Sequence, residues 1–204
     1  MSSSAAEFVV RSPRPEDAPA VLAVHTAFER RFGTPIEFTL DDLLEGWRTL
    51  DLEHDAWVWE RDGDLAAYAS IRTFGEELGA DGYVHPDWLG RGLGSAIVET
   101  TEARALERGA PKLGNGVLAA DEAAATLLEA HGYRDVRHYF RMTIELDEPP
   151  PLPEWPDGVE PRPFEPEHAR AFHAADDEAF QDERGHTTEP FELWVASARN
   201  MSSS

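Results

Sequence analysis

The sequence predicts an α/β chain of the mixed α+β kind. A mostly antiparallel sheet carries helices on both faces, and a partial repeat of its own beginning follows it. Three observations predict this. Segments of strand and helix character follow the order β-α-α-β-β-β-α-β-α-β-β between residues 7 and 146. A strand meets a helix through a turn with Gly90, Gly92 and Gly94 at alternate positions. The stretch from Val159 onward repeats the pattern that opens the chain.

Each element has a local cause. Residues 7–11 form a short β-branched run and read as the first strand. Pro15, Glu16 and Asp17 suit a helix start, and Val21, Leu22, Val24, His25 and Phe28 then recur at helical spacing until Gly33. Thr39 and Asp42 form a capping box for a second helix, with Leu40, Leu43, Leu44 and Trp47 on its apolar face. Asp62-Gly63 between two apolar runs predicts a hairpin, with Trp57 and Trp59 on one strand face as core. Residues 77–84 make the fourth strand, and a third helix runs from about Gly92 to Arg108. Residues 112–118 read as a fifth strand weakened by glycine. Asp121 caps a fourth helix that Gly132 closes in the left-handed conformation. Residues 137–146 predict a long final strand.

Composition excludes several functions. The chain has 40 acidic and 18 basic residues, a net charge of −22, and a single lysine, Lys112. Such a surface repels nucleic acid and anionic membranes and attracts amines. There are no cysteines, which removes disulfides, thiolate metal sites and cysteine nucleophiles and fits a cytoplasmic protein. No apolar run approaches the roughly 18 residues of a membrane span. The N-terminus lacks the basic region and apolar core of a secretory signal. The histidines show no firm metal-ligand spacing, so no metal site is expected.

The glycine turn points to phosphate chemistry. Glycine lets the backbone approach a ligand closely, and the helix behind it offers unpaired N–H groups and the positive end of its dipole. The dinucleotide fingerprint does not fit the spacing, and the turn has no lysine for a nucleotide phosphate loop. A strand ending at Val84 before Pro86, then Gly90-Arg91-Gly92-Leu93-Gly94-Ser95 opening a helix, resembles the acyl-coenzyme A signature of the GNAT superfamily of N-acetyltransferases. The order of elements over residues 7–146 matches that fold.

The resemblance implies a sheet whose fourth and fifth strands splay apart, with acetyl-CoA as cosubstrate in the gap. The backbone at Tyr83, Val84 and His85 would pair with the pantetheine amides. The N–H groups of Leu89, Gly90, Arg91, Gly92, Leu93 and Gly94 would hold the pyrophosphate beside Ser95, and Asn115 would face the coenzyme from the fifth strand. Two positions depart from the family pattern: Leu89 stands where Gln or Arg is usual, and Leu128 where many members place a tyrosine acid. Candidates for a general base are Glu76, Glu77, Asp81 and His85; Tyr133 is the candidate acid, with Tyr139 and His131 nearby in sequence.

The expected function is N-acetyl transfer from acetyl-CoA to a small amine by direct attack. The alternative is a GNAT-like module that binds acyl-coenzyme A with weak or no catalysis. The expected domains are residues 1–146, a proline-rich linker at 147–158, and a partial second unit at 159–204. The linker and repeat resemble tandem-GNAT proteins of the mycothiol-synthase type, with the second domain truncated. Half a domain cannot bury its own faces, so it is expected to pack on the first domain or, as a homodimer, on another subunit.

Overall fold

The computed structural model describes residues 7–74, 77–182, 188–192 and 194–195. The chain divides into two compact units, Met1–Asp135 and Val136–Ser204.

The first unit runs β1 (Val9–Arg11), α1 (Ala18–Phe32), α2 (Leu40–Arg48), β2 (Ala56–Arg61), β3 (Asp64–Phe74), β4 (Glu77–Val84), α3 (Leu93–Glu107), β5 (Leu113–Asn115) and α4 (Glu122–Ala130). One sheet holds the strands in the order β1-β2-β3-β4-β5. Every pairing is antiparallel except β4 with β5. The β2–β3 hairpin turns through Asp62 and Gly63, both at positive φ (55° and 92°), the twist that joins strands in a two-residue loop. Thr39 and Asp42 close their capping box: Asp42 N donates to Thr39 Oγ1 and Thr39 N to Asp42 Oδ2.

Alternation along the strands builds two cores. Tyr68, Val58, Trp47, Leu43 and Val21 join β2 and β3 to α1 and α2. Trp59, Ala67, Ala69, Leu93 and Ile97 pack the opposite face against α3, and Ile71, Leu78, Ala80 and Ala105 extend it. Each large buried side chain here contributes about 1.5–3 kcal/mol of transfer free energy. The alanines of β3 and Gly82 of β4 admit α3 closely. A Cβ on Gly82 would lie 2.6 Å from Ile97 Cγ2. Asp55, preceding β2, accepts from Arg104 Nε (2.7 Å) and Arg108 Nη1 (3.0 Å), tying the end of α3 to the sheet.

The expected final strand does not form. Residues 137–146 join no ladder among the described residues, and Tyr139, Phe140, Met142 and Ile144 are all at least 80% exposed. A strand needs a neighbour for its N–H and C=O groups, and β5 is only three residues long. The unit therefore ends at Asp135, ahead of the expected boundary at residue 146. The strand expected near Val159 is also absent among the described residues.

In the second unit a 3-10 turn (Pro166–His168) leads into α5 (Ala169–Phe180). The same device opens α1, where a 3-10 turn spans Pro15–Asp17. The turns close on Ala18 (φ −53°, ψ −42°) and Ala169 (φ −53°, ψ −41°), both buried. The repeat read in the sequence is thus a repeat of backbone geometry. The helix expected from Pro190 lies partly outside the described residues.

Candidate active site

The glycine turn begins where β4 ends. His85 caps a 3-10 turn (Pro86–Trp88), its Nδ1 accepting from Asp87 N at 3.3 Å. Gly90 and Gly92 then take φ of +73° and +81°, conformations that side chains disfavour. Gly92 is the N-cap of α3, so the helix starts one residue later than expected, and no side chain caps it. The first N–H groups of α3 are left for a ligand. Leu93 is buried beneath the turn and anchors it, whereas Leu89 is 42% exposed. Gly94 sits against Leu127 of α4, 3.1 Å from where its Cβ would be. The Arg91 guanidinium lies 4.9 Å over the Trp88 ring, and Trp88 meets Phe8 edge-on at 5.5 Å. A cation is thus held beside the free amides, with Ser95 half-buried in the first turn of the helix.

A gap opens next to this turn. β4 and β5 pair only at Leu78↔Leu113, Gly79↔Gly114 and Ala80↔Asn115. β4 continues to Val84 with no partner strand on that side among the described residues. Leu78 N donates to Lys112 O, so the two-residue repeat aims the N–H groups of Gly82 and Val84 at the same, now empty, edge. His85 N points the other way, to Ala66 O. Gly82 is exposed although it lies mid-strand.

Two buried polar atoms face each other here, Asn115 Nδ2 at the end of β5 and Tyr133 OH after α4; neither makes a well-formed hydrogen bond among the described residues, though each lies within reach of the other's influence. Gly132, at φ +88°, ends α4, and Tyr133 N returns to Leu128 O. That return aims the Tyr133 ring toward Asn115 and toward Glu102 of α3. Burial, then the Glu102 carboxylate, pushes the Tyr133 hydroxyl up to about 12. The phenol stays protonated across the neutral range and is available as a donor.

The other predicted residues fall differently. Glu77 is exposed and ion-paired with Lys112, a link between β4 and the start of β5. Glu76 lies outside the described residues. His131 faces Glu102 at 3.3 Å. Sequence reasoning passed over His25 and Glu29 of α1, which project onto the same sheet face as Asp81 and Tyr83 of β4. The His25 ring stands 4.4 Å from the Tyr83 ring, centroid to centroid. Their i,i+4 spacing was the available signal; the sheet register that brings β4 beneath them was not.

One trio of side chains in the second unit, Glu165, Glu167 and His168, brings its ligand-type atoms within 4.8 Å of one another. It is the polar start of α5, with His168 Nε2 at 3.7 Å from Glu167. No helix among the described residues is long and apolar enough to cross a membrane.

A strand, a glycine turn on a helix start and a parted strand pair thus meet at one end of β4. Comparison decides the family: the model of the Acetyltransferase (GNAT) family matches residues 21–133. The chain belongs to the GNAT family. A mycothiol acetyltransferase of Catenulispora acidiphila is 28% identical over 183 residues, 84% of this chain and 56% of that protein. One of Thermobispora bispora is 35% identical over 123 residues, 59% of this chain and 40% of that protein. A solved structure of a GCN5-related N-acetyltransferase from Sphaerobacter thermophilus superposes with a TM-score of 0.75 at 32% identity, covering 97% of this chain and 65% of that one. The GNAT chain therefore spans about half the length of the curated relatives it matches. The family match ends at Tyr133, the last residue of the site described above.

Proposed function

We propose that this GNAT chain transfers an acetyl group from acetyl-CoA to a small amine by direct attack. The gap beside Gly82 and Val84, opening onto the glycine turn, is the observation that supports it most. A pantetheine arm entering there meets the two N–H groups as an added strand would. Its pyrophosphate reaches the start of α3 and Arg91. The N–H of Gly82 or Val84 polarises the thioester carbonyl, where charge develops on attack. Tyr133 supplies the proton that the leaving thiolate needs, and Asn115 orients the arm beside it. The net charge of −22 favours an amine as acceptor.

Leu128 on α4 favours a second reading, an acyl-coenzyme A binding module, because it carries no hydroxyl where many members have one. Calorimetry with acetyl-CoA followed by thiol release over a panel of amines separates the two. Binding with release upholds acetyl transfer. Binding without release on any amine supports the module, and no binding refutes both.

A further inference from the structure

Resting on the acetyl-transfer reading, we propose that Asp81 is the base that deprotonates the acceptor, and that the face it shares with His25 and Glu29 receives a primary ammonium group. Asp81 directly precedes Gly82, whose N–H marks the free edge of β4, so its backbone lies one strand residue, roughly 3.3 Å along the strand, from that edge amide. Pairing across β3 and β4 fixes its direction. Asp81 sits opposite Ser70, and Tyr83 opposite Tyr68, which is buried with α1 and α2. Ala80, by contrast, packs in the cluster with Ala105 of α3. Asp81 therefore faces α1 and α2, while Tyr133, beside Glu102 of α3, belongs to the other face. Base and acid stand on opposite sides of the gap, as attack by one group and departure of another require.

The surroundings suit a cation. Among the described residues the Asp81 carboxylate makes no hydrogen bond and no salt bridge, although it is half-buried. His25 Nδ1 and Glu29 Oε2 are buried, 3.5 Å apart, and neither has a hydrogen-bond partner. Phe38 packs on the His25 ring at 4.7 Å, and Phe28 meets Tyr83 at 5.3 Å, giving aromatic walls that favour a cation. Arg72 of β3 is the arginine that acts on this face: its Nη2 reaches α2, 3.0 Å from the Cβ position of Gly46, its Nε is buried with no hydrogen-bond partner, and its charge acts on Asp81 without a direct bond. Burial raises the Asp81 carboxyl above the ordinary range against the opposing pull of Arg72 and His25. Burial lowers the His25 imidazole against the pull of Glu29 and Asp81. Tyr68 and Tyr83, also on this face, are raised and stay neutral. With the imidazole neutral, the carboxylates of Asp81 and Glu29 share this face with one arginine, Arg72, which leaves one negative charge for the substrate's ammonium to balance.

The step balances. The ammonium gives one proton to Asp81, and the freed nitrogen pair forms the C–N bond to the thioester carbon. The C–S bond breaks with its pair on sulfur. The nitrogen sheds a second proton; one of the two ends on sulfur through Tyr133, and the other leaves Asp81 for solvent.

The test uses the full chain and Asp81→Asn and Glu29→Gln variants. Acetyl-CoA affinity should stay within about two-fold of wild type in both. Asp81→Asn should lower kcat at least about 100-fold and abolish the acidic limb of the kcat/KM profile. Its thermal midpoint should match or exceed wild type, because the burial that raises the carboxyl also makes its charged form costly in the fold. Glu29→Gln should raise KM for the amine with kcat nearly kept. Calorimetry with phenethylamine, with phenethyl alcohol as the uncharged control, should show amine binding that Asp81→Asn weakens at least ten-fold. A wild-type chain that releases thiol and an Asp81→Asn variant that does so equally well overturn the proposal and leave acetyl transfer standing. A wild-type chain that binds the amine through Asp81 but acetylates nothing overturns acetyl transfer and the base role together, while the ammonium site stands. Absence of amine binding overturns the site.

Discussion

Tyr133 and Asp17 show how a single side chain sets a measurable property. Tyr133 reaches its place because Gly132 takes a left-handed turn that a side chain would strain. Its raised hydroxyl remains a proton donor well above neutrality. Tyr133→Phe should lower kcat about 10- to 100-fold and leave acetyl-CoA affinity nearly unchanged, read by thiol release and calorimetry. Asp17 accepts from both terminal nitrogens of Arg11 (2.6 and 2.9 Å) and from Arg14 N (2.7 Å). The Arg11 bonds hold its carboxyl below the usual 3.8. Its folded value lies under its unfolded one, so its stabilisation is complete above about pH 4 and is lost as pH falls through the folded value. Asp17→Asn should cost on the order of 2 kcal/mol at neutral pH and flatten the acid side of a urea-midpoint profile.

The turn between β4 and α3 was legible in the sequence because its causes are local. Val84, Pro86 and the glycines determine the break in the strand, the positive φ angles and the uncapped helix start without help from distant residues. Gly92→Val should therefore abolish acetyl-CoA binding by calorimetry, since it places a β-branched side chain at φ +81° in the ligand's path. Residues 137–146 were misread for the complementary reason: alternation is local, but a ladder needs a distant partner. The convergence of His25 and Glu29 on Asp81 was hidden for the same cause, because which face of β4 meets α1 is a matter of register with β3. The tie from Asp55 to α3 shows how much such distant pairing is worth. Its side chain is 12% exposed and accepts from two arginines, so Asp55→Ala leaves Arg108 without a carboxylate partner and Arg104 with Glu107 alone. The expected loss is about 3 kcal/mol in a denaturant titration, with the midpoint falling and the slope kept.

At the scale of the whole molecule the sheet is complete on one side and unfinished on the other. β1 closes one edge with a short strand whose Arg11 binds Glu60 of β2 at 2.8 Å. At the other edge β5 covers only the first part of β4. The second unit copies the opening turn and first helix of the first, yet leaves Phe172 and Phe180 about half exposed. This fits a chain that spans about half the length of its curated relatives. The short overlap of β4 with β5 has a thermodynamic consequence. Among the described residues the amides of Gly82 and Val84 lack a partner strand; on the proposed acetyl transfer a pantetheine arm provides one, and the substrate would complete the fold of the protein that consumes it. Binding free energy then enters the folding equilibrium directly. At acetyl-CoA a hundred times its Kd the native state should be stabilised by about 2.7 kcal/mol. Amide exchange at Gly82 and Val84 should slow together with that rise, while exchange at Ala80, already paired, stays as it was.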